Sequence, residues 1–147
     1  MLDLLKQFWL WTGTTPEQYD SKGAHQSYGV DECNFPLFSE LITYAKHIVD
    51  DGLISINEID DLMTIMALDN ESESVLEYAI ENATDLQISS MCEIGINHQL
   101  YHARWQLAEL ICIKKPKNYT HYLSVLSNDK HPYVRNRAIN CIERLTQ

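Results

Sequence analysis

His98 and His102 stand four residues apart, a spacing that sets two imidazoles on one helix face and begins a Zn²⁺ site. The chemistry stops there. Such a site needs a third ligand, and a metalloprotease also needs a glutamate between its histidines; Asn97-His98-Gln99-Leu100-Tyr101-His102 supplies neither. Asp51-Gly52-x-Ile54-Ser55-x-x-Glu58 matches the second half of a Ca²⁺-binding helix–loop–helix. Its first half fails, because His47 and Val49 would occupy the first and third ligand positions, where Ca²⁺ needs oxygen. A glycine helix stop followed by a helix capped by Ser55 explains the same residues. His47, His121 and His131 are isolated. No glycine-rich phosphate loop or nucleophile elbow occurs, and the dispersed acids are not expected to pair in a setting that would raise a pKa for acid–base work. The expectation is a chain without catalysis, metal or cofactor.

What remains is chemistry of recognition. Glu73, Glu77 and Glu81 are spaced i, i+4, i+8, and like charges so placed on one helix repel by about 0.2–0.5 kcal/mol per pair. A solvated face usually mixes signs, so an unmixed acidic row points to a basic partner, against the reading of a plain surface. Asp60 and Asp61 extend that surface, with Asp69 and Glu71 in the following turn.

These residues sit in a chain that repeats. Val134-Arg135-Asn136-Arg137-Ala138-Ile139-Asn140-Cys141-Ile142 aligns under Ala103-Arg104-Trp105-Gln106-Leu107-Ala108-Glu109-Leu110-Ile111 at an offset of 31 residues. A third copy, Val75-Leu76-Glu77-Tyr78-Ala79-Ile80-Glu81-Asn82-Ala83, lies 28 residues earlier. A period of about 30 residues with apolar i, i+4, i+5, i+8 spacing means stacked helical pairs. The register places Glu77, Trp105 and Asn136 in one column, and Glu81, Glu109 and Asn140 in the next. Trp105 in that column is either an exposed aromatic anchor or a side chain packed under another helix.

The last copy, with Leu123, Leu126, Asp129, His131-Pro132, Val134-Arg135, Ala138, Ile139, Ile142 and Leu145, resembles a HEAT repeat. The match is good over 119–146, moderate over 96–113 and weak over 64–84, where Leu76 replaces the arginine and no proline is present. The resemblance implies a right-handed α-solenoid of antiparallel helix pairs that binds proteins. It also implies that the non-core positions of the second helices line the concave face, and that Arg104 and Arg135 hydrogen-bond neighbouring turns, with Asp129 as partner.

The chain of 147 residues is expected to form one domain. It divides into an N-terminal helix at 1–12, a long loop at 13–35, a helical pair at 36–66 and HEAT-like repeats at 67–147. Seven or eight helices are expected, and no segment alternates at the period of a strand. Pro36 opens a helix carrying Leu37, Leu41, Ile42, Ala45 and Ile48, and Asp50-Asp51-Gly52 ends it. Cys33, Cys92, Cys112 and Cys141 are widely separated and read as free thiols of a reducing cytosol. The start of the chain lacks a basic signal-peptide region, and no apolar run reaches the ~20 residues of a membrane span, so a cytoplasmic location is expected.

Charge is uneven. The net is −10, yet residues 114–147 carry +5, while in 31–93 Lys46 is the only base against fifteen acids, a local −14. Such a field repels nucleic acid and anionic lipid and draws basic proteins in. The reading is a protein-binding module that neutralises a cognate basic toxin, a nuclease above all, as bacterial immunity proteins do. Asp60, Asp61, Glu73, Glu77, Glu81, Trp105 and Glu109 would form its binding face. A HEAT-like adaptor or scaffold is the alternative.

Overall fold

The computed structural model describes residues 2–21 and 32–147. Among them there are nine α-helices and no strand. They are α1 (Asp3–Thr12), α2 (Pro16–Ser21), α3 (Phe38–Asp50), α4 (Ile56–Leu68), α5 (Ser74–Asn82), α6 (Asp85–Gly95), α7 (Tyr101–Lys114), α8 (Tyr119–Ser127) and α9 (Pro132–Thr146), with a short 3₁₀ turn at Glu32–Asn34. No helix of the described residues is long and apolar enough to cross a membrane.

Nine helices exceed the seven or eight expected, because α2 forms within the stretch expected to be loop, and α3 starts at Phe38, two residues after the Pro36 expected to open it. Several other boundaries follow local signals. Gly13 closes α1 in the left-handed conformation, at φ 70°, and returns its N–H to the carbonyls of Trp9 and Leu10. Pro132 takes the first position of α9, where no N–H is needed, and His131 caps that helix by accepting from the Tyr133 N–H at 3.1 Å. Ser55 caps α4 by accepting from the Glu58 N–H, while the Glu58 carboxylate takes the Ser55 hydroxyl instead of its backbone N–H, so the capping box expected there is half made. A complete box stands at α6: Thr84 and Gln87 each accept from the other's backbone N–H, at 3.1 and 3.0 Å.

The stretch 13–35 is not one loop. Thr15 caps α2 by accepting from the Gln18 N–H, Pro16 opens that helix, and Tyr19 packs edge-on against Trp9 with ring centroids 5.3 Å apart. The remainder of the expected loop, 22–31, lies outside the described residues.

Two helices organise the packing. α4 is buried from Ile59 to Leu68 except at Asp60, and α7 is buried from Ala103 to Cys112 except for the half-buried Glu109. α7 touches α4, α5, α6, α8 and α9, and α4 touches α3, α5, α6 and α7. Contacts therefore join neighbours in the chain and also elements two apart: α3 with α5, α4 with α6, α5 with α7, and α7 with α9. Gly95 is fitted to this core, since a Cβ there would lie 2.7 Å from Met63 Cε and 2.8 Å from Leu107 Cδ2.

Buried amides tie the layers together. Gln87, wholly buried, donates from Nε2 to the carbonyls of Ile48 (2.9 Å) and Leu53 (3.1 Å), fastening the end of α3 and its turn to α6. Gln106, also wholly buried, donates to the Met66 carbonyl at 2.8 Å and joins α7 to α4. Removing Gln87 strands the Leu53 carbonyl, leaves the Ile48 carbonyl with the Leu53 N–H as its remaining donor, and breaks half of a capping box. Gln87→Ala is expected to lower the stability by about 2–4 kcal/mol in denaturant unfolding, against less than about 0.5 for the exposed Ser89→Ala. Equal small effects would show that water replaces the amide at no cost.

Candidate functional site

Around the start of α7, three turns meet on one ion pair. The Arg104 guanidinium donates from Nε and Nη2 to the two carboxylate oxygens of Asp129, at 2.8 and 3.1 Å, and from Nη1 to the His98 carbonyl. Both side chains are buried, 4% and 7% exposed. The second face of Asp129 is used as well: its carboxylate accepts from the His131 N–H at 2.8 Å, and its carbonyl accepts from Arg135 at 2.8 Å. The expected Asp129–Arg135 contact is thus made through the carbonyl, and the carboxylate belongs to the arginine one repeat earlier. The guanidinium fork of Arg104 matches the carboxylate bidentately, as a buried pair requires.

His98 does not share a helix with His102. It lies in the turn between α6 and α7, 4% exposed, whereas His102 is inside α7. Its Nδ1 accepts from the Leu100 N–H at 3.1 Å, so the neutral ring carries its proton on Nε2. Nε2 is 3.0 Å from Thr64 Oγ, whose own proton goes to the Asp60 carbonyl at 2.8 Å, and 3.5 Å from the Asp60 carboxylate. Burial pushes the His98 pKa below its ordinary 6.5, with the Arg104 charge acting the same way and Asp60 opposing. Among the described residues no three His, Cys, Asp or Glu side chains gather as metal ligands.

A cleft flanks this node on both sides. One part, of about 430 Å³, runs between the 96–99 turn and Val125–Lys130; the other, of about 410 Å³, passes Gln99, Arg104 and Lys130 to reach Glu17, Asp20 and His131. Asp20 reaches from α2 to accept the first N–H of α7, that of Tyr101, at 2.7 Å. Its other oxygen is buried without a partner, and burial raises its pKa despite the Tyr101 N–H and the nearby Arg104.

The acids expected on one binding face divide into two groups. Glu77 and Glu81 are exposed on α5, and neither is in an ion pair among the described residues. Asp60 is also exposed. Glu73 precedes α5, half-buried in a left-handed conformation at φ 56°, so the helical row begins only at Glu77. Asp61 is buried, 7% exposed, and its pKa is raised by burial, the Leu2 N–H opposing. Asp69 is buried too: it accepts from Ser74 at 2.7 Å and from the Val75 N–H at 2.9 Å, so it caps α5 instead of facing solvent. Glu109 lies 3.1 Å from Arg137 and 3.4 Å from Arg144, and its charge is spent within the fold.

Trp105 is not an exposed anchor. It is 4% exposed, donates from its indole N–H to His102 at 2.9 Å, and carries the Arg137 guanidinium 4.5 Å above its ring. The reason is the position of α7, packed on every side, which leaves no open column on that helix. The accessible aromatic nearby is Tyr133 of α9, 44% exposed and edge-on to Trp105 at 5.5 Å. Sequence reasoning passed it over because it falls outside the aligned repeat positions. No family model, curated protein or solved structure matches the chain.

Two outcomes check this geometry. Asp129→Ala should cost about 3–5 kcal/mol because it leaves the Arg104 charge buried alone, Arg135→Ala about 1 kcal/mol, and the Arg104→Met, Asp129→Leu pair far less than the sum of its singles. Additive losses in chemical unfolding would contradict a coupled node. The second outcome is a pH dependence. With a folded pKa below 6.5, His98 gains its proton in the unfolded chain first, so its contribution is present above pH 6.5 and is lost as pH falls below it. The raised carboxylates of Asp20, Glu32 and Asp61 act oppositely and are common to both proteins compared. The stability advantage of wild type over His98→Gln should therefore shrink on acidification below pH 6.5; a constant advantage would contradict the neutral buried ring.

Proposed function

We propose that the protein is a stoichiometric protein-binding module, and that it neutralises a basic toxin domain in the manner of a bacterial immunity protein. The observation that carries this reading is the exposed negative charge. Of the fifteen acids in 31–93, Glu40, Asp50, Asp51, Asp60, Glu71, Glu77, Glu81, Asp85 and Glu93 are exposed, with Lys46 as the only base in that stretch. A surface of one sign, held on a rigid array, accelerates encounter with a partner of opposite sign and rejects like-charged polymers. Toxin nucleases carry such positive surfaces because they bind nucleic acid.

The helix contacts support a HEAT-like stack of pairs. α5, α7 and α9 hold the aligned repeat segments, and α7 packs against both of the others. Lys114, Lys115 and Lys117 of the positive 114–147 end are all exposed and share one hollow with Asp85 at the start of α6. An adaptor in another complex remains the alternative reading of the same surface.

The product of the adjacent reading frame is the partner to test. The double substitution Glu77→Lys, Glu81→Lys should slow its association about tenfold or more at low salt, with the difference fading as ionic strength rises and the fold unaffected. Trp105→Ala, by contrast, is a core truncation expected to cost about 3–5 kcal/mol of stability and says nothing about the interface. Unchanged association rates at low salt would overturn the placement of the face on α5.

A further inference from the structure

A smaller cavity, of about 220 Å³, opens where the 3₁₀ turn, the 70–71 turn and the starts of α7 and α9 converge. Its walls are Glu32, Asn70, Glu71, Tyr101, His102 and Tyr133. Two carboxylates and two phenol rings so arranged have one chemical complement, a flat cation. We propose that this cleft seats an arginine side chain of the partner, its guanidinium pairing with Glu71 and Glu32 and lying against the exposed Tyr133 ring. The proposal rests on the reading of the protein as a binder of a basic protein.

Four observations carry it. Glu32 is 5% exposed, and neither it nor Glu71 is in an ion pair among the described residues. The Tyr19 hydroxyl donates to one Glu32 oxygen, which positions the carboxylate without neutralising it. Glu32 and Glu71 are close enough that the Glu71 charge adds to burial in raising the Glu32 pKa, so a cation placed between them relieves both effects. The same two acids also line a second hollow, of about 180 Å³, which continues the negative wall toward Asp69 and Ser72.

The rings are already part of an arginine-stacking surface. Arg137 lies 5.6 Å from the Tyr133 centroid as well as over Trp105, so this aromatic group holds a guanidinium of the chain itself on its α9 side. Tyr101 is held by two imidazoles, His131 stacked parallel at 3.9 Å and 3° and His102 at 4.0 Å, so it is a fixed wall of the cleft; Tyr133, 44% exposed and edge-on to it at 6.4 Å, is the ring left for a guest. A preset ring costs a guest little ordering. Arginine fits better than lysine because its planar fork meets a carboxylate bidentately and stacks on an aromatic face, whereas an ammonium is a compact, strongly hydrated charge.

The test uses the full chain and Nα-acetyl-arginine amide as probe, followed by amide and ring NMR shifts. The expected result is a saturable response confined to 70–71, 101–102 and 133, with a Kd on the order of 1 mM, weaker for the acetyl-lysine analogue. Glu71→Gln and Tyr133→Ala, both at exposed positions, should each weaken binding about fivefold or more, while Glu77→Gln should leave it unchanged. Linear shifts spread over α5, or equal losses in Glu77→Gln, would overturn the cleft in favour of general charge attraction. The adjacent-gene product is titrated separately. If it binds wild type and both cleft variants equally, the cleft is no anchor and the wider reading stands. If the probe saturates the cleft while that product does not bind, the arginine site stands and the toxin reading falls.

Discussion

The fold depends on keeping one buried charge pair satisfied. Arg104 and Asp129 are separated by 25 residues, lie in α7 and in the turn before α9, and are both almost closed to solvent. Neither could be buried alone, because an unpaired charge in such a place costs several kcal/mol. Their shared hydrogen bonds reach the His98 carbonyl, the His131 N–H and, through the Asp129 backbone, Arg135. The turn before α7, the turn before α9 and the first turns of both helices are consequently held in one geometry. Apolar packing between α7 and α9 is non-directional and would tolerate a slip; this polar node does not.

The same device recurs wherever helices join. Asp69 ends the α4–α5 turn by capping α5, Gln87 couples α6 to α3, Gln106 couples α7 to α4, and Asp20 serves the first N–H of α7 from α2. Each places a polar side chain where backbone groups would otherwise be left without partners. Acids used in this way are removed from the surface. The exposed negative charge that remains is therefore smaller than the count of carboxylates suggests, and it is spread over α3 to α6 and the turns between them. A rigid scaffold with localised charge is what rapid, salt-sensitive association requires.

The sequence exposes the parts of this design that follow local rules. Helix α9 is legible from Pro132 and from the spacing of Val134, Ala138 and Cys141, all buried as expected. The helix α2 is too short to show a period, and its stability comes from Tyr19 packing on Trp9, a tertiary cause. Asp61 and Asp69 read as surface acids because burial of a carboxylate depends on partners distant in space or on a cap whose geometry appears only after the turn is built. Trp105 was the instructive case. An open non-core column belongs to a helix with one free side, whereas α7 is packed against five other helices. The Arg104–Asp129 pair was half visible: the recurrence of arginine at the same register marks both residues, while the choice of Asp129 carboxylate by the earlier one is a matter of three-dimensional reach.

The proposed binding face lies on the acidic helices and not on the basic C-terminal end. Hydrogen exchange of the complex with the adjacent-gene product, compared with the free chain, reads this directly. The account predicts slowed exchange over α5 and the 69–73 turn, with the Lys114–Lys117 turn unchanged. Protection confined to that lysine turn and the outer side of α8, with α5 exchanging as in the free protein, would contradict it.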